Sequence, residues 1–511
     1  MSKLRMSRRR MLAGAAAAGG IGAIYKMTES PAVAQTQTPP AGQTGAGGAA
    51  GRGGGPAGQA GRGGGPGGAM GGRGGGGRGA TVQLPPVNKL SAPSDLRITD
   101  MRSLRIAANF DYPIIRIDTN QGIYGLGEVR DAGSEYSALA MKPFLVGRNP
   151  LDFDSLMSYV LPYAGSGRAG GGYSAIDLAL NDIIGKAYGV PVWRLLGSKK
   201  RSTIRMYCDT TGTSDPKKYA ERMAARKKMG FTFFKMDVTV NFVGDGGRIA
   251  GNIDPTSGIP TDKGLAHGAE LIAAVRDAIG ADMPLSVDSS SLRCATVPDG
   301  IRAARAFEKF NLAWLEDLFG TGGYWRWKDF KAIKANTTTK LLTGEDAFGL
   351  EGRLGFKPLI DNRAVDVIHP DHGTSGGCRL TKRIADYAWN EQEIPTAIHM
   401  AGSPLATMGA VHTAATLDNF VAMECHAEDF ISWWQQLITG VTQPLIKDGY
   451  ITVPDTPGLG VELNEPVVKE HLRYPGYFEK DAVWDPNRPM GGPWPHFNVD
   501  GVWVNERTSD Y

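Results

Sequence analysis

Cysteine is scarce. The chain has four in 511 residues, at positions 208, 294, 378 and 425, with no CxxC pair. A disulfide framework is therefore not expected, nor is a thiolate zinc site. All four fall on or beside segments that read as strands rather than in loops. Long apolar runs are also missing. The Ala/Gly-rich stretch from Met11 to about Ile24 is too short and too weakly apolar for a transmembrane span. The part able to fold lacks positive charge. Residues 1–80 hold ten Lys/Arg and one acid, a net +9 in a chain whose total is +4, so residues 81–511 carry −5. The basic pI belongs to the first eighty residues. A mildly acidic remainder argues against nucleic acid as its partner.

What the N-terminal part does have is an address. Ser7-Arg8-Arg9-Arg10-Met11-Leu12 precedes the apolar stretch, and Ala32-Val33-Ala34 has the small-x-small look of a signal-peptidase site. Residues 1–34 read as a twin-arginine export signal, with retention as an uncleaved anchor the alternative. Residues 35–90 read as a tether: 22 of residues 41–80 are glycine, and that composition buries no core. Its Arg-Gly-Gly repeats also suit RNA, but a spacer fits an exported protein better. The expected location is the periplasm or the cell surface. Twin-arginine cargo folds in the reducing cytosol, in keeping with the few cysteines.

The remaining residues are too many for one small domain. Residues 91–202 read as an α+β capping domain, completed by about 446–482. Asn120-Gln121-Gly122 turns between the extended segments Pro113–Asp118 and Ile123–Glu128. Helical patterns follow at 133–146, 151–160 and Tyr173–Tyr188. From 203 to 445 strand-then-helix repeats. The strands are Ile204–Cys208, Phe233–Val238, Leu285–Asp288, Ala313–Glu316, Leu341–Gly344, Val365–His369, Pro395–His399 and Val421–Glu424. The fold class is thus α/β, a modified (β/α)8 TIM barrel with an N-terminal α+β capping domain. Gly244–Lys263 reads as an insertion over the barrel mouth. Residues 449–462 look extended and are expected to return to the cap. Residues 483–511 carry no functional reading.

In such a barrel, chemistry gathers at the C-terminal ends of the strands. Asp288, Glu316 and Glu345 end three successive strands, 28 and 29 residues apart. Three uncompensated carboxylates in one space repel. A hard divalent cation with oxygen ligands removes the repulsion, and Mg2+ is the expected ion. His399 ends an otherwise apolar strand and is the candidate base. Asp371, on the strand before it, is placed to fix its tautomer. His369 and His372 compete with His399 as the base. Lys235 and Asp237 alternate on one strand and share a face. They are read either as a structural ion pair, or as Lys235 set against a substrate carboxylate or the metal cluster with Asp237 as a second acid/base or a hydroxyl acceptor. Glu424 is placed to meet substrate oxygen or a basic partner. Arg168 with Gly170-Gly171-Gly172 reads more readily as a flexible loop than as a phosphate cradle.

Together these residues resemble the enolase superfamily, and within it the mandelate racemase-like group, over roughly residues 96–465. The resemblance rests on Gly189-Val-Pro-Val-Trp-Arg-Leu-Leu-Gly197, the Asp288/Glu316/Glu345 ladder, Val365-Asp-Val-Ile-His-Pro-Asp371 with Gly376-Gly377, Ile398-His399, and Pro457-Gly-Leu-Gly-Val-Glu462. It implies Mg2+ on the three carboxylates, a His399–Asp371 base and Glu424 at the substrate's polar end. It also implies abstraction of a proton α to a carboxylate, a case in which metal charge stabilises the developing anion. The chain departs from the group in three places. Asp237 stands where racemases of the group carry a second lysine. Asp288-Ser-Ser290 lacks a histidine that some sugar-acid dehydratases use. Glu316 is followed by Asp317-Leu318, where proline is common. One strong base suits dehydration, whereas racemisation needs one on each face.

The leading expectation is therefore an exported Mg2+-dependent dehydratase of a sugar acid, giving a 2-keto-3-deoxy acid. A racemase or epimerase is the runner-up, and a non-catalytic sugar-acid binding protein the third reading. A homo-oligomer, dimer to octamer, is expected.

Overall fold

A computed structural model of the chain describes residues 92–108, 110–238, 249–292, 294–426 and 431–480. The export signal, the tether and the 483–511 extension lie outside the described residues, as do residues 239–248, which include 244–248 of the insertion.

The first described elements form an antiparallel meander, β1 (Ile98–Ile106), β2 (Tyr112–Thr119) and β3 (Tyr124–Glu128), in the order β1-β2-β3. The alternation of a strand sends Ile115 and Ile117 into a cap core with Ile176, Ala179 and Ile183 of the helix Gly172–Tyr188. It sends Tyr112 and Ile114 the other way, into the main core. Both faces of β2 are buried, which explains its nearly continuous apolar run. The helix stops at Gly189, whose φ of 68° supplies a left-handed C-cap. The helix expected over 133–146 is broken. Tyr136–Leu139 forms one turn and Lys142–Phe144 a 3-10 turn, with Pro143 inside the second removing a backbone donor.

Eight parallel strands follow: β4 (Thr203–Thr210), β5 (Phe234–Asp237), β6 (Leu285–Asp288), β7 (Leu315–Glu316), β8 (Leu341–Thr343), β9 (Val367–Ile368), β10 (Thr396–Ile398) and β11 (Phe420–Cys425). Each pairs with its sequence neighbours, and β11 pairs with β4, closing the barrel. The crossover helices have well-marked starts. Asp215 accepts from the amides of Lys217 and Lys218, and Thr296 with Asp299 forms a capping box. Tyr207, Phe233, Trp314, Leu342, Val367, Ala397 and Ala422 fill the barrel interior as a separate apolar cluster. The residues two places further along each strand therefore face the mouth.

Two expectations are corrected. Tyr450–Thr452 pairs antiparallel with β4 of the barrel rather than returning to the cap. Only the following segment reaches the cap, where Asp182 accepts from Leu459 N at 2.9 Å and Tyr124 donates to Glu462 at 2.7 Å. The cysteines are all buried and form no disulfide, but Cys378 lies in the helix Gly377–Gln392 rather than on a strand.

Candidate active site

Counting by twos from the interior ring gives the mouth: Tyr207 leads to Asp209, Phe233 to Lys235 and Asp237, Trp314 to Glu316, Val367 to His369, Ala397 to His399, and Ala422 to Glu424. Asp288 ends β6 and pairs in register with Asp237 and Glu316 on the strands beside it. Glu345 follows β8 after Gly344, whose φ of 131° turns the chain into the mouth.

Lys235 is the internal cation of this cluster. Its Nζ donates to Glu424 Oε1 at 2.9 Å and Glu316 Oε1 at 3.0 Å, and lies 3.4 Å from Asp288 Oδ2. The expected alternative, an ion pair with Asp237, is not the one formed. One ammonium does not satisfy three carboxylates. Burial opposes ionisation of Glu424, but Lys235 and His399 hold its carboxyl well below the usual range. Glu316 is pushed well above that range by burial, with Asp288 and Glu424 adding repulsion that Lys235 only partly offsets.

That imbalance is the chemistry a divalent cation would correct. Donor atoms of Glu316, Glu345 and His369 all lie within 4.8 Å of one another. Tyr207 donates to Glu424 Oε2 at 3.0 Å and sits 2.7 Å from His369 Nε2, so its oxygen receives the Nε2 proton. His369 Nδ1 then carries a lone pair. It has no hydrogen-bond partner and stands 3.3 Å from Glu316 Oε1. Two acceptors facing each other in a buried site fit a cation between them. Burial, with the charges of His399, Lys235 and Arg130, keeps the His369 ring neutral. Asp288 borders this set rather than joining its tightest grouping: its Oδ1 accepts from Ser290 N at 2.7 Å. Glu316, Glu345 and His369 would hold a divalent cation, with Asp288, expected as the third ligand, at the edge.

His399 and Asp371 meet as expected. Asp371 Oδ2 accepts from His399 Nδ1 at 2.6 Å, which aims Nε2 at Glu345 Oε2, 3.2 Å away, and at Glu424 Oε2, 3.7 Å away. Burial alone would lower the affinity of this imidazole for a proton. Glu345, Glu424 and Asp371 outweigh burial and Arg130, and its pKa is pushed up to about 9. His372 is no competitor. It is buried against Thr413, 3.3 Å from its hydroxyl, and burial takes its pKa down to about 4.

Asp237 faces the mouth, and among the described residues no cation pairs with it. Burial pushes it well above the usual range, and Asp209 and Asp288 add to the shift.

Two contributions of the cap escaped the sequence reading. Arg130, just past β3, is fully buried. It donates to Glu345 Oε1 at 3.1 Å, the Glu345 carbonyl at 2.8 Å and Thr374 Oγ1 at 2.7 Å, and its Nε lies 3.5 Å from Asp371 Oδ2. Asp131 is held well below the carboxylate range: burial opposes this, but Arg168 and Arg130 outweigh it. The Arg168/Gly170–Gly172 segment is not a flexible loop. Arg168 donates to Asp131 Oδ2 at 3.0 Å, and a Cβ at Gly171 or Gly172 would stand 2.6 Å from Arg130 N or 2.3 Å from the Ser137 carbonyl carbon. The glycines let the cap chain pass close behind Arg130.

The sequence also stopped short at two strand ends. Asp209 and His426 continue the inward rows of β4 and β11 and meet each other, with His426 Nε2 3.2 Å from Asp209 Oδ2. The period of two contains that signal, but the strands expected from the sequence, Ile204–Cys208 and Val421–Glu424, end short of it.

Residues 218–467 match the enolase C-terminal domain-like family, and residues 87–197 match the mandelate racemase / muconate lactonizing enzyme N-terminal domain. The D-xylonate dehydratase of Haloferax volcanii is 31% identical over 387 residues, 74% of this chain and 89% of that protein. A mandelate racemase/muconate lactonizing enzyme-like protein from Rubrobacter xylanophilus is 29% identical. It superposes with a TM-score of 0.67 over 76% of this chain and 100% of its own. An enolase from Pantoea ananatis, solved with D-gluconate and Mg bound, is 25% identical with a TM-score of 0.63, covering 74% and 95%.

Proposed function

This chain belongs to the enolase superfamily, with both domains of its mandelate racemase / muconate lactonizing enzyme branch, and from that premise we propose that it is a Mg2+-dependent dehydratase of a sugar acid. The observation that carries the reading is the 2.6 Å His399–Asp371 pair, set beside a carboxylate cluster short of positive charge.

When bound, the metal supplies positive charge opposite the substrate carboxylate and so acidifies the α-proton. The residues divide the remaining work. Asp371 fixes the tautomer of His399, so that Nε2 is the nitrogen that takes the α-proton. Lys235 adds charge where the enediolate forms. Glu424, kept ionised, accepts a hydrogen bond from a substrate hydroxyl. Arg130 anchors Glu345 and borders Asp371 from the cap. Loss of the β-hydroxyl as water leaves an enol, which becomes the 2-keto-3-deoxy acid. The relatives named for D-xylonate and crystallised with D-gluconate support an aldonate substrate.

An epimerase is the second reading. The raised Asp237, in the place of a second lysine, favours it as an opposite-face acid/base. A library of acid sugars incubated with Mg2+, with and without EDTA, separates the readings. Dehydration gives a 2-keto acid from at least one member and none with EDTA. Epimerisation gives inverted substrate without keto acid. Mg2+ binding with neither product removes both and leaves a binding protein. Residues 1–34 support export by the twin-arginine route to the periplasm or cell surface, which fractionation of the producing cell tests.

A further inference from the structure

The carboxylate cluster contains one nitrogen with no internal role. His369 follows β9, where its amide donates to the Thr343 carbonyl of β8 at 3.2 Å. Its side chain is fully buried, and Nδ1 finds no hydrogen-bond partner among the described residues. A buried ring nitrogen left bare is costly unless something occupies it. Donor atoms of Glu316, Glu345 and His369 converge within 4.8 Å, so the occupant they suit is a cation shared with two carboxylates.

We propose that His369 is a metal ligand through Nδ1, and that this nitrogen makes the centre prefer a borderline first-row cation, Fe2+, Co2+ or Zn2+, to Mg2+. The proposal rests on the reading above that the cluster holds a divalent cation, and it names the class of that cation. Mg2+ is a hard ion that takes oxygen ligands, whereas imidazole nitrogen suits the later first-row ions. Mg2+ still binds when it is the only cation offered, because the two carboxylates, with Asp288 at the edge, suit it.

Each ligand is aimed by a partner behind it. Trp314 Nε1 donates to Glu316 Oε2 at 3.3 Å, which leaves Oε1 towards His369 Nδ1, 3.3 Å away. Lys235 shares that oxygen at 3.0 Å, and a carboxylate oxygen has a second lone pair. Arg130 donates to Glu345 Oε1 at 3.1 Å, leaving Oε2 for the cluster. Tyr207 holds His369: its oxygen stands 2.7 Å from Nε2 and donates to Glu424 Oε2 at 3.0 Å. The opposite tautomer is the competing arrangement. With its proton on Nδ1, His369 would donate across 3.3 Å to Glu316, and Nε2 would take the Tyr207 hydroxyl proton away from Glu424. Glu424 Oε2 would then face imidazole nitrogens beyond hydrogen-bond reach, 3.7 Å away on His399 and 3.9 Å away on His369. A buried carboxylate oxygen stripped of its donor disfavours that arrangement.

The experiment uses full-length wild type, H369N, H399N and Y207F, each stripped of metal. Mn2+ is the spectroscopic probe, because its unpaired electrons report a directly bound nitrogen in electron spin-echo modulation. Wild type and H399N should both show an imidazole nitrogen coupling, and H369N should lose it while still binding Mn2+. Competition calorimetry then gives the ratio of Co2+ to Mg2+ affinity. That ratio should fall by about tenfold or more in H369N, whose amide oxygen offers a hard ligand near the place of Nδ1. Y207F should keep the coupling and lose about 10–100-fold in Co2+ affinity. Wild-type protein that binds Mn2+ without nitrogen coupling overturns the proposal, and that result needs no variant to fold. A coupling that H399N abolishes and H369N retains assigns the nitrogen to the base and overturns it equally. An unchanged ratio in H369N overturns the preference for a borderline cation and leaves the Mg2+ reading standing. Wild type that binds none of Mn2+, Co2+ and Mg2+ contradicts the metal reading itself, and the ligand role falls with it.

Discussion

At the scale of single residues, the site is a problem of charge balance solved by a few side chains. Lys235 touches three carboxylates from three other strands. Removing one member of a buried ion pair leaves its partners uncompensated, at a cost of about 3–5 kcal/mol. Lys235→Met should therefore lower the unfolding midpoint of the metal-free protein sharply, and added Mg2+ should recover part of the loss; an unchanged midpoint would show that the carboxylates are neutralised some other way. His399→Asn removes the base and should cut turnover by about 10²–10⁴-fold while Mg2+ still binds in calorimetry. Retained turnover would place the base elsewhere. Residue types carried much of this in the sequence, because Asp288, Glu316, Glu345, His399 and Asp371 each follow a short apolar run. The partners of Lys235 were not legible. Lys235 and Asp237 share a face, yet the nearest carboxylates come from residues 81 and 189 positions away.

At the scale of elements, the cap works because β3 runs almost in contact with its helix. A Cβ at Gly127 would stand 2.0 Å from the Ala175 carbonyl oxygen of the helix Gly172–Tyr188, and one at Gly125 2.0 Å from that of Ala179. Gly127→Ala must push the strand off the helix, an overpacking that costs about 1–3 kcal/mol. Because Arg130 follows β3 directly, the same substitution should reduce turnover as well as stability. A variant as active and as stable as wild type would show that the close approach is not needed. The eight barrel strands were legible because each carries a buried apolar run between loop signals. Their ends were less so: β7 and β9 are only two residues long, and the inward rows of β4 and β11 run on past the apolar stretch. The role of Arg130 lay beyond local pattern, since it depends on the cap meeting a strand end 215 residues away, and Arg168 pairs with Asp131 37 residues before it in the cap.

At the scale of the whole molecule, the buried titratable groups set how the metal-free protein responds to pH. His399 has its pKa raised to about 9, so its contribution is complete below the ordinary histidine value of about 6.5 and is lost as pH rises through 9. Burial raises Glu128 to about 8 and Asp177 to about 7. Both favour the folded state when protonated, so their contributions also fade as pH climbs above the ordinary carboxylate range and through 7–8. Asp131 and Glu424 are held low and act at the other end, losing their contribution as pH falls below that range. The metal-free midpoint should thus peak in mildly acidic buffer and decline from about pH 6.5 to 9. A midpoint that rises over that interval would contradict these assignments. Saturating Mg2+ should raise it, by about 2.7 kcal/mol of stability at a hundred times the dissociation constant. The central claim is that His399 takes an α-proton and the β-hydroxyl leaves. Its most direct test is turnover of an aldonate in D2O with Mg2+, followed by mass spectrometry and NMR of the product. The expected result is a 2-keto-3-deoxy acid carrying solvent deuterium at C3, absent with EDTA and absent with His399→Asn. Substrate recovered with deuterium at C2 and no keto acid formed, or a keto acid formed undiminished by His399→Asn, would contradict it.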